Sequence, residues 1–435
     1  MTDLHKDIQF SVETRLAGSR GPIDYQLGFF YFDEQVRLTS SATTFGSSES
    51  FSLAPTRYDT QSYAPFVHLT AHVASGLCLV GGVRYTHDAK QLVADSFSIS
   101  AGCAIPFTCA NTVLPPAVLY AGQLPFTIPA APGTIADPTP GSTVTRSSDV
   151  VFNQRLSAGR VTYRGAVEYD VAPASLLYAS VESGFRSGGF NTSVGFETFQ
   201  PEYITAYSIG SKNRFLGNRV QLNLEGFYWD YRNEQVAHSG LDLAVPPRAN
   251  SIVQNVGRAD IKGVEVEGRV LVTPTTTLSA DVQYLDAKNK FFTYQVPIAL
   301  QSLTGCAVSP AATPGFLNVN CAGRPAFNSP NWTLNLGAEQ KIPVGDYQFI
   351  VSADTQYKSS RYEGFEYQQG ELQRASWTTN AQLFFGPANG RWSVAGFVRD
   401  IENDRLLAVP FSFGGVLVAY TTPPRTYGLR GSVKF

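Results

Sequence analysis

Apolar and polar residues alternate with a period of two along most of the chain. The clearest case sets Val220, Leu222 and Leu224 against Gln221, Asn223 and Glu225. That period puts successive side chains on opposite faces of an extended strand, one face apolar and the other polar. Comparable stretches recur near 7–16, 22–37, 62–73, 79–98, 159–170, 175–187, 202–215, 219–235, 260–272, 278–292, 331–342, 347–362, 375–385, 392–401 and 425–435. They predict roughly fifteen strands of about ten residues or more, the length that crosses a bilayer at a tilt. No stretch reads as an amphipathic helix.

The connections alternate between short and long. The short ones are Gly18–Gly21, Ala74–Gly76, Val171–Ala174, Leu216–Asn218, Pro274–Thr277, Pro343–Asp346 and Gly386–Arg391. They draw heavily on Gly, Pro, Asn, Ser and Thr, the residues that form tight turns. The long ones are 38–61, 99–158, 188–201, 236–259, 293–330, 363–374 and 402–424. A soluble sandwich has no reason to keep every long loop on one edge. A transmembrane barrel does, with short periplasmic turns and long extracellular loops. The expected fold is therefore all-β, an antiparallel transmembrane β-barrel.

Composition sharpens this picture. Charged residues make up 16% of the 435, against roughly a quarter in a soluble domain. Aromatics reach 12%, enough for interfacial girdles at strand ends. The net charge of −2 leaves no basic footprint for nucleic acid. No apolar run approaches the roughly 18 residues of a membrane helix, whereas alternating barrel strands escape that test. The stretch Met1–Phe10 lacks the apolar core of a signal peptide, so the expectation is that the natural amino terminus lies upstream.

Cys103 and Cys109 share one long connection, and Cys306 and Cys321 share another. Such local pairs fit disulfides of an oxidising compartment. Cys78 is left over in an apolar run and is expected to be a buried or lipid-facing thiol. In the last stretch, Tyr427, Leu429, Gly431, Val433 and Phe435 share one face. An alternating strand ending in an aromatic resembles the signal read by outer-membrane assembly machinery. With that terminus periplasmic, every long loop falls outside.

Several stretches resemble the TonB-dependent receptor family. YASVESGFRSGGFN (Tyr178–Asn191), followed by Phe199–Tyr231, is similar to its mid-barrel signature. NVGRADIKGVEVEG (Asn255–Gly268) and YLDAKNKF (Tyr284–Phe291) resemble the strands that follow. GGVRYTHDAK (Gly81–Lys90), NSPNWTLNLG (Asn328–Gly337) and PRTYGLRGSVKF (Pro424–Phe435) also fit, in the right order and over nearly the whole chain. The resemblance implies a twenty-two-stranded barrel around a plug. Residues 1–435 would then be a partial receptor barrel, about fifteen strands of the twenty-two, lacking the plug, the first strands and the energy-coupling segment.

In that family lumen-facing residues and extracellular loops bind ligand. The corresponding candidates are the loop aromatics Phe196, Phe199, Tyr294, Phe365 and Tyr367, with Arg186 as partner for an anionic chelate. The competing reading makes the aromatics girdle residues. His68 and His72 share a strand face about 13 Å apart, too far to hold one ion, and read as polar lumen residues. No G-x-S-x-G elbow or His-Glu-x-x-His helix is present, and no enzyme, metal site or cofactor is expected. The resemblance implies uptake of a scarce ligand, most simply a ferric siderophore, with outer-membrane lipid around the barrel. A TonB-type energy-coupling protein is the partner of the full-length receptor. Passive porin-like diffusion, a non-transport surface protein, and cobalamin or saccharide as cargo stay open.

Overall fold

Each alternating stretch pairs with the next one along the chain. The computed structural model describes residues 2–44, 48–102, 132–136, 143–146, 150–243, 249–298, 304–312, 314–413 and 416–434. Fifteen wall strands run in order: β1 (Thr2–Arg20), β2 (Ile23–Thr44), β3 (Ser48–Ala74), β4 (Leu77–Gly102), β5 (Val150–Ala172), β6 (Ser175–Arg186), β7 (Glu202–Phe215), β8 (Val220–Leu241), β9 (Ala249–Thr273), β10 (Thr276–Pro297), β11 (Trp332–Val344), β12 (Tyr347–Lys358), β13 (Ser376–Pro387), β14 (Trp392–Arg399) and β15 (Thr426–Val433). Every neighbouring pair is antiparallel and consecutive. A meander of this kind sends alternate connections to opposite rims. The tight turns therefore share one rim and the long connections share the other. Among the described residues, β1 pairs only with β2 and β15 only with β14, so the wall is an open sheet.

Side-chain alternation sorts the two faces. Leu224, Val264, Leu278, Leu336, Val351 and Leu383 form one outward apolar band across β8 to β13, each at least 39% exposed. An uncovered apolar surface of that extent marks a membrane or partner face. Aromatic pairs bound the band on both sides. Tyr284–Trp332 and Tyr357–Trp377, each with ring centres 5.0 Å apart, lie toward the loop rim. Tyr347, Phe385 and Trp392 stack toward the turn rim. From Tyr357 to Tyr347 is about 33 Å along β12, or about 25 Å along the membrane normal at a 40° tilt, the height of a lipid-facing band.

The inner face is polar and cross-linked. Tyr178 and Ser208 donate to Glu225, the latter at 3.0 Å, Gln283 donates to Glu265 at 2.6 Å, and Asn380 donates to Asp354 at 2.7 Å. His68 and His72 lie on this face, as expected. Cys78 does not follow expectation. Leu77 and Leu79 take the outward positions of β4, and Cys78 turns inward beside His72, partly exposed. It is neither buried nor lipid-facing, because strand parity overrides its apolar neighbours.

The expected loop 38–61 is also corrected. Strands β2 and β3 continue through it, with only 45–47 between them. Likewise β4 runs to Gly102, β5 starts at Val150, and the β8–β9 connection shrinks to 242–248. Beyond the hydrocarbon these hairpins still satisfy their backbone groups by pairing, although their side-chain pattern no longer alternates. Among the described residues the helical positions are the 3-10 turn Gln369–Glu371 and Ile298.

Candidate functional site

The loop rim carries the buried apolar core that the wall lacks, and three register skips build it. In the β8–β9 pair the register skips at Asn233 and again at Val256. In β10 it skips at Lys290. Each bulge inserts one residue and exchanges the two faces beyond it. Below them the inward positions of β10 are Leu285, Ala287 and Asn289; above they are Phe292, Tyr294 and Val296. Val236 and His238 turn inward the same way on β8. Gly257 sits at the crossing, where a Cβ would come within 1.6 Å of the Phe291 carbonyl oxygen, so only glycine fits.

These inward residues meet two folded-over loops. Phe292, Tyr294, Phe327 and Phe365 pack with ring centres 5.9–6.3 Å apart. Tyr362 and Tyr367 extend the cluster, their ring centres 5.3 Å apart. Tyr367 donates to the Pro325 carbonyl at 2.6 Å and accepts from the Asn289 amide at 2.7 Å. Cys306 and Cys321 are joined, Cα atoms 5.1 Å apart, closing the small hairpin Ala307–Pro310 and Phe316–Asn320 against the cluster. Cys103 and Cys109 lie outside the described residues.

The connection between β6 and β7 is pinned to the β8–β9 hairpin by amides. Asn191 donates to the carbonyls of Phe196 (2.7 Å) and Val253 (2.9 Å), and its oxygen accepts from the Val253 N–H. Asn255 donates to the carbonyls of Gln200 and Asn233 and accepts from the Gln200 N–H. Glu202, buried, accepts from the Gln235 N–H at 2.7 Å. A Cβ on Gly188 would meet the Phe199 carbonyl at 2.3 Å. The residues that carry the mid-barrel motif thus lock one loop onto its neighbour.

The six candidate residues divide into three groups. Phe196, Phe199 and Tyr294 line one cavity of about 750 Å³ with Gln254, Asn255, Gln295 and Asn318. Tyr294 is only 5% exposed and belongs at the same time to the packed loop core. Phe365 and Tyr367, the latter 2% exposed, belong to the packed loop core. Arg186 stands apart, 72% exposed, its Nη1 3.7 Å from Glu202. A second cavity of about 650 Å³ lies on the inner wall of β10–β13, lined by Asp281, Asn335, Asp354, Gln356, Lys358 and Asn380. The alternation pattern marks these as inner-face residues, but only the tertiary fold shows that they share a hollow with Arg361 and the last loop.

Two carboxyls of the rim are shifted upward. Burial, with the Glu202 charge adding to it, raises Glu234 to about 7. Burial also raises Glu371 to about 7, opposed by the Gln368 backbone N–H that it accepts at 3.0 Å. Among the described residues no three His, Cys, Asp or Glu side chains are grouped to hold a metal ion.

An antiparallel wall with an outward apolar band, a polar inner face and a loop cap at one rim defines a membrane β-barrel of the receptor type. The sequence matches the β-barrel of TonB-dependent receptors over residues 2–401, and the chain belongs to that family. The family's barrels are Gram-negative outer-membrane receptors rather than enzymes. The fold is similar to the ferric yersiniabactin uptake receptor FyuA from Yersinia pestis, at TM-score 0.69 and 14% identity, over 100% of this chain and 55% of that one. It is also similar to the ferric-catecholate import receptor Fiu from E. coli K12, at TM-score 0.61 and 15% identity, over 98% and 54%. The pyoverdine outer membrane receptor FpvA from Pseudomonas aeruginosa PAO1 aligns at TM-score 0.52 and 12% identity, over 99% and 62%. The chain thus spans a little over half the length of these solved receptors.

Proposed function

We propose that this chain supplies wall and ligand-capturing loops to an outer-membrane receptor for a ferric siderophore. The observation that carries this reading is the cavity at the loop rim where Phe196, Phe199 and Tyr294 meet the side-chain amides of Asn255, Gln295 and Asn318. Aromatic faces and fixed amides suit a chelate, which offers flat apolar rims and carbonyl or hydroxyl oxygens but little bare charge. Arg186, exposed on the inner wall below, supplies the cation for an anionic complex. Siderophore receptors among the structural neighbours support the same cargo class. Transport then requires a plug and a TonB-type energy-coupling partner from the whole receptor, with residues 1–435 acting as a partial barrel.

The test is binding of radio-iron chelates of the hydroxamate, catecholate and carboxylate classes to outer-membrane vesicles carrying the protein. Cobalamin and a maltodextrin serve as comparators. Saturable binding of at least one chelate is expected, weakened about tenfold by Phe199→Ala or Phe196→Ala if these rings are anchors. Binding of cobalamin or saccharide alone would replace the siderophore reading, and non-saturable passage of all small solutes would replace it with a porin.

A further inference from the structure

We propose that Cys78, His72 and Asp24 form a nucleophilic thiol site on the inner wall, near the turn rim, that takes disulfide-class electrophiles. The three residues come from adjacent strands β4, β3 and β2. His72 is directly cross-strand from Cys78, and Asp24 pairs with Thr70, one inner position along. The Sγ of Cys78 lies 3.2 Å from His72 Nδ1. His72 Nε2 lies 2.9 Å from Asp24 Oδ2. Ser19 donates to the other oxygen of Asp24 at 2.5 Å, fixing the carboxylate.

The proton positions follow from this geometry. An ionised carboxylate only accepts, so Nε2 must carry the imidazole proton. The lone pair is then left on Nδ1, facing the thiol. Nucleophile, base and orienting carboxylate stand in the order that activates Ser and Cys nucleophiles elsewhere, with the two ring nitrogens exchanging roles. A purely structural chain of hydrogen bonds has no need of access, yet the His72 and Asp24 side chains are 51% and 50% exposed. On the far side Glu168 pairs in register with Cys78, and its carboxylate lies 3.9 Å from Arg164.

The reaction balances without a further oxidant. As Cys78 sulfur attacks one sulfur of a small disulfide, its proton passes to His72 Nδ1. The S–S bond of the disulfide breaks, a Cys78 mixed disulfide forms, and the departing thiolate recovers the proton from the imidazolium. An oxidising compartment, the setting in which Cys306–Cys321 persists, is where such disulfides occur.

The test uses the full chain folded in detergent micelles and an aryl disulfide that releases a coloured thiolate, with the adduct located by peptide mass. At neutral pH, Cys78 of the folded chain is expected to react at least about tenfold faster than in the same chain unfolded in guanidinium. His72→Gln, shown to be folded by its heat-modifiable migration, should lose that advantage, and Asp24→Asn should lose part of it. Reaction in the folded wild type no faster than in the unfolded chain, or a His72→Gln rate equal to wild type, would overturn the proposal and leave Cys78 as a packing residue.

Discussion

At the scale of single residues, the two faces of β8 differ in what they tolerate. Leu224 is 41% exposed on the apolar band, whereas Asn223 donates to Glu267 at 3.1 Å on the inner wall. Near the bilayer midplane a cation on the lipid face costs about 2–4 kcal/mol. In a receptor whose wall is completed by further strands, Leu224→Lys should therefore destabilise folding into vesicles by about that much in urea titrations, and Asn223→Lys by much less. Equal costs would mean that the faces are misassigned. The two raised carboxyls carry a second consequence. Glu234 and Glu371 are held near 7 in the folded rim, above the ordinary 4.5. The fold thus favours their neutral forms. That contribution is fully present below pH 4.5 and is lost as the pH rises through about 7. Amide protection factors in the rim loops, with the base-catalysed intrinsic rate divided out, should be higher at mildly acidic than at mildly alkaline pH, and Glu234→Gln together with Glu371→Gln should flatten the difference. Protection that falls on acidification would mean that the fold favours the ionised carboxylates instead.

At the scale of elements, the disulfide hairpin acts on the loop core and not on the wall. Cys306 and Cys321 are 15 residues apart, and closing a loop of that length contributes about 3 kcal/mol in the chain-entropy treatment. Reduction, or Cys306→Ser with Cys321→Ser, should speed exchange at Phe316–Asn320 while leaving β8–β9 protection unchanged. Loss of wall protection as well would show that wall and cap fold as one unit. The wall was the legible part of this molecule. All fifteen strands and the single-rim placement of long connections are readable from alternation and turn residues, because one apolar face fixes register. The cap was not. Phe292 reads as the end of β10, while Tyr294 and Val296 fall in the expected loop 293–330, and nothing local announces the extra residue at Lys290 that turns all three inward on a longer strand. Phe365 and Tyr367 stand out as loop aromatics, but their packing against Phe292 and Pro325 depends on a loop folding back across the rim. Cys78 shows the same limit at one position, since its partners His72 and Asp24 come from neighbouring strands.

At the scale of the whole molecule, the free edges of β1 and β15 decide how residues 1–435 behave in a membrane. Tyr427 and Leu429 on β15 are each 82% exposed, and among the described residues β15 pairs with β14 alone. In an antiparallel ladder alternate residues turn both N–H and C=O toward the missing neighbour. Across the hydrocarbon that leaves roughly five such residues on each edge, from about ten per spanning strand. Each unpaired group costs several kcal/mol in lipid. The two edges together would cost on the order of tens of kcal/mol, above the ~5–15 kcal/mol net stability of a typical domain. An open sheet of this kind is therefore not a stable state of the bilayer. The edges must meet each other in a narrower barrel, pair with further strands, or stay out of the membrane. Coupling to periplasmic energy is, on the reading proposed above, the task of a plug and a TonB-type partner. Expressed behind a signal peptide in a host lacking its own receptors, this segment is expected to show no energy-dependent accumulation of any ferric chelate. Co-expression of strands that complete the wall should increase its yield in the outer membrane. Energy-dependent uptake by the segment alone would show that the edges close and couple without further chain, and that unpaired backbone does not keep the segment from working.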